Sequence, residues 1–109
     1  LTISDSVSMA MAEYAWTSFN SNAKVFEYAP QDKTRFHPTQ KPVALYKWIL
    51  NHYANKGDKI LDTHVGSASS LIACEELGFD YVGYEINGTY YELAKQRIEE
   101  FNAQIRMEI

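Results

Sequence analysis

The chain has 109 residues, 46% hydrophobic and 22% charged, which is the make-up of an ordinary globular domain with one modest core rather than a disordered or fibrous chain. No stretch approaches the roughly 18 consecutive apolar residues of a membrane span, no secretory signal pattern is present, and the single cysteine, Cys74, excludes an intrachain disulfide, so a cytoplasmic, reducing location is expected. The net charge of −4 conceals an asymmetry, with residues 1–30 at −2, 31–59 at +4 and 60–109 at −6.

The start at Leu1 rather than Met reads as a cut. Residues 12–19 and 23–28 are rich in aromatic and β-branched side chains and are separated by Asn20-Ser21-Asn22, which predicts a β-hairpin over 12–28. Residues 29–41 lack periodicity and read as a loop. The basic middle, with Lys33, Arg35, Lys41, Lys47, Lys56 and Lys59, can face phosphates. From charge alone a solvated loop is the simpler reading.

A helix is predicted from Pro42, where the missing N–H costs nothing in the first turn, with Leu45, Trp48, Ile49, His52 and Tyr53 as its apolar stripe and Asn55 to Asp58 as its stop. Lys59 to Asp62 reads as a short strand, and Ser69 to Leu77 as a helix closed by Gly78. Tyr81 to Ile86 reads as a second strand. A last helix is expected from Thr89, capped by its hydroxyl with Glu92 completing a capping box, and Ile105 to Ile109 as the start of a further strand. Cys74, in Leu71-Ile72-Ala73-Cys74, reads as a small buried apolar residue.

Strand, tight turn, helix, strand and helix in succession make a βαβ unit with its ligand crevice at the carboxyl ends of the strands. Two residues there suit a nucleoside. Gly66 lets the turn pass close beneath a ligand, having no Cβ to collide with it. Glu85, 19 residues later, can accept both hydrogens of a ribose diol. A plain glycine turn with a strand-end carboxylate explains those two residues equally well. Other motifs fit poorly: Ala68-Ser69-Ser70-Leu71 lacks the lysine of a phosphate-binding loop, only one glycine of a dinucleotide fingerprint is in place, and His37, His52, His64 and Cys74 lack metal-ligand spacing.

Three segments carry a more specific signal: His37-Pro38-Thr39-Gln40-Lys41-Pro42, Asp62-Thr63-His64-Val65-Gly66-Ser67-Ala68-Ser69, and Gly83-Tyr84-Glu85 with Tyr90-Tyr91. In this order and spacing they resemble the cofactor half of the S-adenosylmethionine-dependent DNA amino-methyltransferases, in the permuted arrangement that places the cofactor segment last. The resemblance covers about the last two thirds of the chain, and Tyr14 to Phe19 is similar to the family's terminal sheet hairpin. It implies an α/β, three-layer Rossmann-like methyltransferase fold, incomplete in this chain. Residues 1–109 would then be a single domain or fragment with the hairpin at 12–28, the loop at 29–41 and the cofactor-binding unit at 42–105.

By the same resemblance Thr39, Lys41 and Pro42 flank the methionine end of S-adenosyl-L-methionine. Asp62, Gly66 and Ser67 form its floor, Ser69 is a further cofactor-binding residue, Glu85 holds the ribose, and Ile86 packs on the adenine. Thr63-His64 departs from the family's Pro-Phe, Ala68 from a glycine, and Asn87-Gly88 from an Asp-Pro-like pair. If position 68 requires φ > 0, alanine there costs about 1 kcal/mol or more.

The family's catalytic Asp/Asn/Ser-Pro-Pro-aromatic tetrapeptide is absent, since no Pro-Pro pair occurs in the chain. That motif binds the amino group of a flipped base. The expectation is therefore the cofactor-binding part of an enzyme that methylates adenine N6 or cytosine N4 in double-stranded DNA, with no catalytic residue of its own. A complementing upstream segment would complete it, and homo-oligomerisation is a separate expectation from the unpaired strand edges of an incomplete sheet. A catalytically inactive binding module, or a small-molecule or RNA methyltransferase, remains an alternative.

Overall fold

The computed structural model describes residues 17–20, 24–27 and 41–108. Their elements run α1 (Val43–Tyr53), β1 (Lys59–Asp62), α2 (Ser69–Leu77), β2 (Asp80–Gly83) and α3 (Gly88–Glu108). β1 and β2 pair in parallel, with Lys59 opposite Asp80 and Asp62 opposite Gly83, and α2 is the crossover between them. This is the expected βαβ unit.

Residues Ser69 through Cys74 of α2 are buried, because α1 packs on one side of the helix, α3 on another and the two strands beneath it. Its apolar run therefore needs no polar face. One core cluster joins Leu50 of α1 to Ala73 and Cys74, with Ile60, Leu77, Phe79 and Tyr81 around them. A second joins Ala68 and Leu71 to Ala94 of α3, with Val65 and Ile98. On the opposite face of the sheet Leu61 is 64% exposed. The three-layer architecture is thus incomplete among the described residues. None of their helices is long and apolar enough to cross a membrane.

Several boundaries differ from expectation. Pro42 is the N-cap of α1, one residue outside the helix, and its carbonyl accepts Leu45 N–H at 3.1 Å. The α1 stripe that meets the core is Val43, Tyr46, Leu50 and Ala54. Trp48, His52 and Tyr53 serve a second face instead, where Phe19 stacks on Tyr53 at 4.9 Å between centroids and Phe26 tilts against Trp48 at 5.7 Å. α1 is apolar on two sides, so periodicity alone did not decide which side faces the core.

Of the predicted hairpin, residues 17–20 and 24–27 are not in strands. Their aromatic rings dock on α1, and the hairpin's other residues lie outside the described part. β2 ends at Gly83 rather than Ile86, because β1 ends at Asp62 and offers no further ladder. Residues 105–108 continue α3 instead of opening a strand. A helix satisfies its own backbone there, whereas a lone strand would need a partner. α3 is capped by Asn87, not Thr89: the Asn87 side-chain oxygen accepts Tyr90 N–H at 3.0 Å and its carbonyl accepts Tyr91 N–H at 2.8 Å. The start and end of α2, closed by Gly78 at φ 80°, are as expected.

Candidate functional site

Beyond their last paired residues the two strands stay joined through the backbone. Tyr84 N–H donates to Asp62 O and Val65 N–H to Tyr84 O, both at 2.9 Å, so the 63–68 turn is pressed against the segment that carries Glu85. Glu85 closes the connection from its own side: one carboxylate oxygen accepts Gly66 N–H at 2.8 Å and the other accepts Asn87 N–H at 2.9 Å. Charge-assisted bonds of this kind are stronger than neutral ones and fix the plane of the carboxylate. The half-buried Glu85 thus stands at the carboxyl end of the sheet with a defined orientation.

Asp62 lies at the root of the turn. Its carboxylate accepts His64 N–H at 2.9 Å and the Ser70 hydroxyl, which links the end of β1 to the first turn of α2. The hydroxyls of Ser67 and Ser69 are 3.1 Å apart and buried. Gly66 has φ 59° and Ala68 φ 70°, and Ala68 is the one non-glycine residue with positive φ among those described. The left-handed region at position 68 is therefore real, and an alanine that is 0% exposed occupies it. Such a conformation costs an L-residue about 1–2 kcal/mol. Thr63 and His64 are exposed, with the Thr63 hydroxyl 2.9 Å from His64 Nδ1, so the polar ring lies outside the core.

The structure brings Asp62, Gly66, Ser67, Ser69 and Glu85 into one unit at the carboxyl ends of the strands, held by the separate contacts Gly66–Glu85, Ser67–Ser69 and Asp62–Ser70. Ile86 is beside it and fully exposed, so its side chain is open to a flat apolar partner. Lys41 and Pro42 are half-buried at the entry to α1, and Thr39 lies outside the described residues. Lys47, from the basic segment, pairs with Glu76 of α2 at 2.7 Å. A concavity of about 310 Å³ lined by Phe19, Leu50, Tyr53 and Ile60 opens at the other end of β1, away from this unit.

Two residues of the unit escaped the sequence reading. Asn87 holds Glu85 through its backbone and caps α3 through its side chain. An Asn two residues after a strand-end Glu and just before a helical pattern is a legible capping signal, but Thr89 competes with it. Arg97 reaches back across 30 residues to donate to Ser67 O at 2.8 Å and to the Ser69 hydroxyl at 2.9 Å, and no local pattern announces that contact.

The N6/N4 methyltransferase family described as DNA methylase matches residues 10–96. The chain belongs to that family. Over 67 residues this chain is 45% identical to the Type II methyltransferase M.HpaI of Haemophilus parainfluenzae, covering 61% of the chain and 21% of the relative. It is 37% identical over 68 residues to the DNA adenine methyltransferase YhdJ of Escherichia coli (strain K12), covering 62% and 23%. In three dimensions it resembles a crystal structure of an M1.HpyAVI-SAM complex with a TM-score of 0.58 at 31% identity, over 72% of this chain and 42% of that one. The solved neighbour places the Rossmann-like methyltransferase fold beyond the pattern of elements alone. The chain spans less than a quarter of the length of these two curated relatives.

Proposed function

We propose that this chain is the S-adenosylmethionine-binding part of a DNA methyltransferase acting on the exocyclic amino group of adenine (N6) or cytosine (N4). The observation that carries the reading is the Glu85 carboxylate, oriented by Gly66 N–H and Asn87 N–H at the carboxyl end of two parallel strands. A carboxylate has about four lone-pair sites and can accept from several donors at once, as a ribose diol requires. The turn beneath it passes with a glycine at the closest point, and the exposed Ile86 offers an apolar surface for a purine. These features fit a nucleoside cofactor, and membership of the DNA methylase family supports the same assignment.

S-adenosylmethionine, when bound, supplies a sulfonium-activated methyl group. The chain's residues then bind and orient: Glu85 the ribose, Asp62, Gly66, Ser67 and Ser69 the floor of the site, and Lys41, Pro42 and Thr39 the methionine end. Activation of the target amino group, whose lone pair is delocalised into the base, needs the acceptors of the family's Pro-Pro tetrapeptide. The sequence holds no Pro-Pro pair. Binding of duplex DNA with a flipped base, and the contribution of the tetrapeptide from an upstream segment, belong to the complete enzyme in this proposal. The missing tetrapeptide equally favours a second reading, a binding module without chemistry.

Calorimetric titration with S-adenosylhomocysteine and labelled-methyl transfer to duplex DNA test the proposal together. The 109-residue chain should bind the nucleoside and transfer no label. Failure to bind refutes the cofactor assignment, and transfer by the chain alone refutes the missing-motif assignment. Transfer on mixing with a segment that carries the tetrapeptide separates the enzyme part from the inert module.

A further inference from the structure

We infer that Arg97, on α3, is a positioning residue that holds the cofactor-facing turn in a conformation the turn's own sequence resists. The inference rests on the reading above that this turn is the cofactor floor. The two hydrogens of one guanidinium nitrogen bracket Ala68: one goes to the carbonyl of Ser67 and the other to the hydroxyl of Ser69. Between these anchors lies the left-handed alanine, at φ 70° and ψ 17°, where a glycine would sit without strain.

The chemistry of the contact matches the task. Ser69 Oγ accepts from Arg97 and lies 3.1 Å from Ser67 Oγ, so the guanidinium, the carbonyl and the two hydroxyls form one closed network around a single residue. Ser67 and Ser69 are both nearly fully buried, and charged hydrogen bonds in such a place are worth more than neutral ones. Ala68 is itself the N-cap of α2 and has no side-chain bond to offer the helix. The first turn of α2 is instead tied down by Arg97 at Ser69 and by Asp62 at Ser70. Release of Arg97 leaves Ala68 able to relax out of the left-handed region, and Gly66, two residues before it, then shifts under Glu85.

A clamp against strain differs from a general stabilising contact in one respect: it matters less when the strain is gone. The test compares wild type, Arg97→Ala, Arg97→Lys, Ala68→Gly and the Arg97→Ala/Ala68→Gly double variant of the chain. Two quantities are measured: affinity for S-adenosylhomocysteine by calorimetry, and amide hydrogen exchange of Gly66 and Ala68 without ligand by nuclear magnetic resonance.

Arg97→Ala should weaken binding about tenfold, the scale of one charged hydrogen bond. It should also speed exchange at Gly66 and Ala68, whose N–H groups are bonded to Glu85 and Val65 O, while leaving Leu50 and Cys74 in the distant core unchanged. Arg97→Lys should recover part of the affinity, because an ammonium can reach one partner but lacks the planar fork. The double variant should recover most of the loss. An Arg97→Ala penalty that is equal in the wild-type and Ala68→Gly backgrounds overturns the inference, as does unchanged exchange at the turn. If the wild type binds no nucleoside, the proposed function falls, and the exchange comparison still decides the role of Arg97.

Discussion

Glu85→Gln keeps the size of the side chain and isolates its capacity to accept hydrogen bonds. In the structure the two carboxylate oxygens meet two different donors, Gly66 N–H at 2.8 Å and Asn87 N–H at 2.9 Å. A glutamine has one oxygen, so in either orientation its NH2 faces one of those N–H groups. One charge-assisted bond becomes neutral and the other is replaced by two opposed donors. Bonds to charged groups contribute about 1.5–3 kcal/mol each, and at a half-buried site the lower part of that range applies, so the fold should lose about 1–2 kcal/mol. A ribose diol in addition loses the acceptor for one of its hydroxyls, which corresponds to about 10- to 30-fold in affinity. Urea unfolding reads the first effect and calorimetric titration with S-adenosylhomocysteine the second. Stability that falls while affinity holds would reduce Glu85 to a latch between the turn and α3 and refute its role toward the ribose.

Ala68→Gly should lie within about 1 kcal/mol of wild type in urea unfolding, because release of left-handed strain offsets a lost buried methyl and a freer unfolded chain, whereas Ala68→Val should lose about 3 kcal/mol or more. A glycine variant destabilised as much as an ordinary core truncation would contradict the strain at this position. Gly83→Ala should cost about 1–3 kcal/mol by overpacking, since its new Cβ would stand 2.5 Å from Val65 Cγ2 and 2.9 Å from Leu71 Cδ1. The Val65→Ala change should relieve part of that loss, and additive losses would show the clash is not the cause. Burial, then the charges of Asp62 and Glu75, push the Cys74 thiol up from 9.0 to about 11. The unfolded chain therefore sheds this proton first, and the stability it confers is intact below about pH 9 and lost as pH rises toward about 11. Cys74→Ala should flatten the decline between urea midpoints at pH 8 and 11. Tyr81, raised in the same direction by burial and its bond to Glu75, is replaced by Phe in both proteins to isolate the thiol.

The parts of the fold that were legible are those in which local chemistry and tertiary demand agree. Lys59 to Asp62 and Ser69 to Leu77 were found at their observed ends because Gly57, Gly66 and Gly78 adopt positive φ at or beside the turns that separate them. α1 was legible as a helix but not in orientation, since aromatic side chains occupy two of its faces and only α2 decides between them. The end of β2 was set by the length of its partner, which its own sequence does not record. For the site, Gly66 and Glu85 were legible from their placement, Asp62, Ser67 and Ser69 only through the family resemblance, and the left-handed conformation at Ala68 through the glycine that the family has there. The hydrogen bonds that hold them were not legible, because they run to backbone groups and to an arginine 28 and 30 residues away.

Those long-range bonds place the control of the site in α3. Asn87 caps its first turn and steadies Glu85, Ala94 and Ile98 pack against Ala68 and Leu71, and Arg97 ties down the turn. Asn87 precedes the helix and the other three lie within its first three turns, while residues 103–107 are exposed and contribute none of these contacts. The turn contains a strained residue, so part of its order must come from the elements that grip it. β1 and the segment after β2 supply one side through Asp62 and Glu85, and α3 supplies the other through Arg97. A substitution that loosens the start of α3 therefore acts on the 63–68 turn without touching it, and its effect at Glu85 travels through Asn87 and at Ala68 through Arg97. Asn87 changes therefore bear first on the Glu85 carboxylate, and Arg97 changes on the turn.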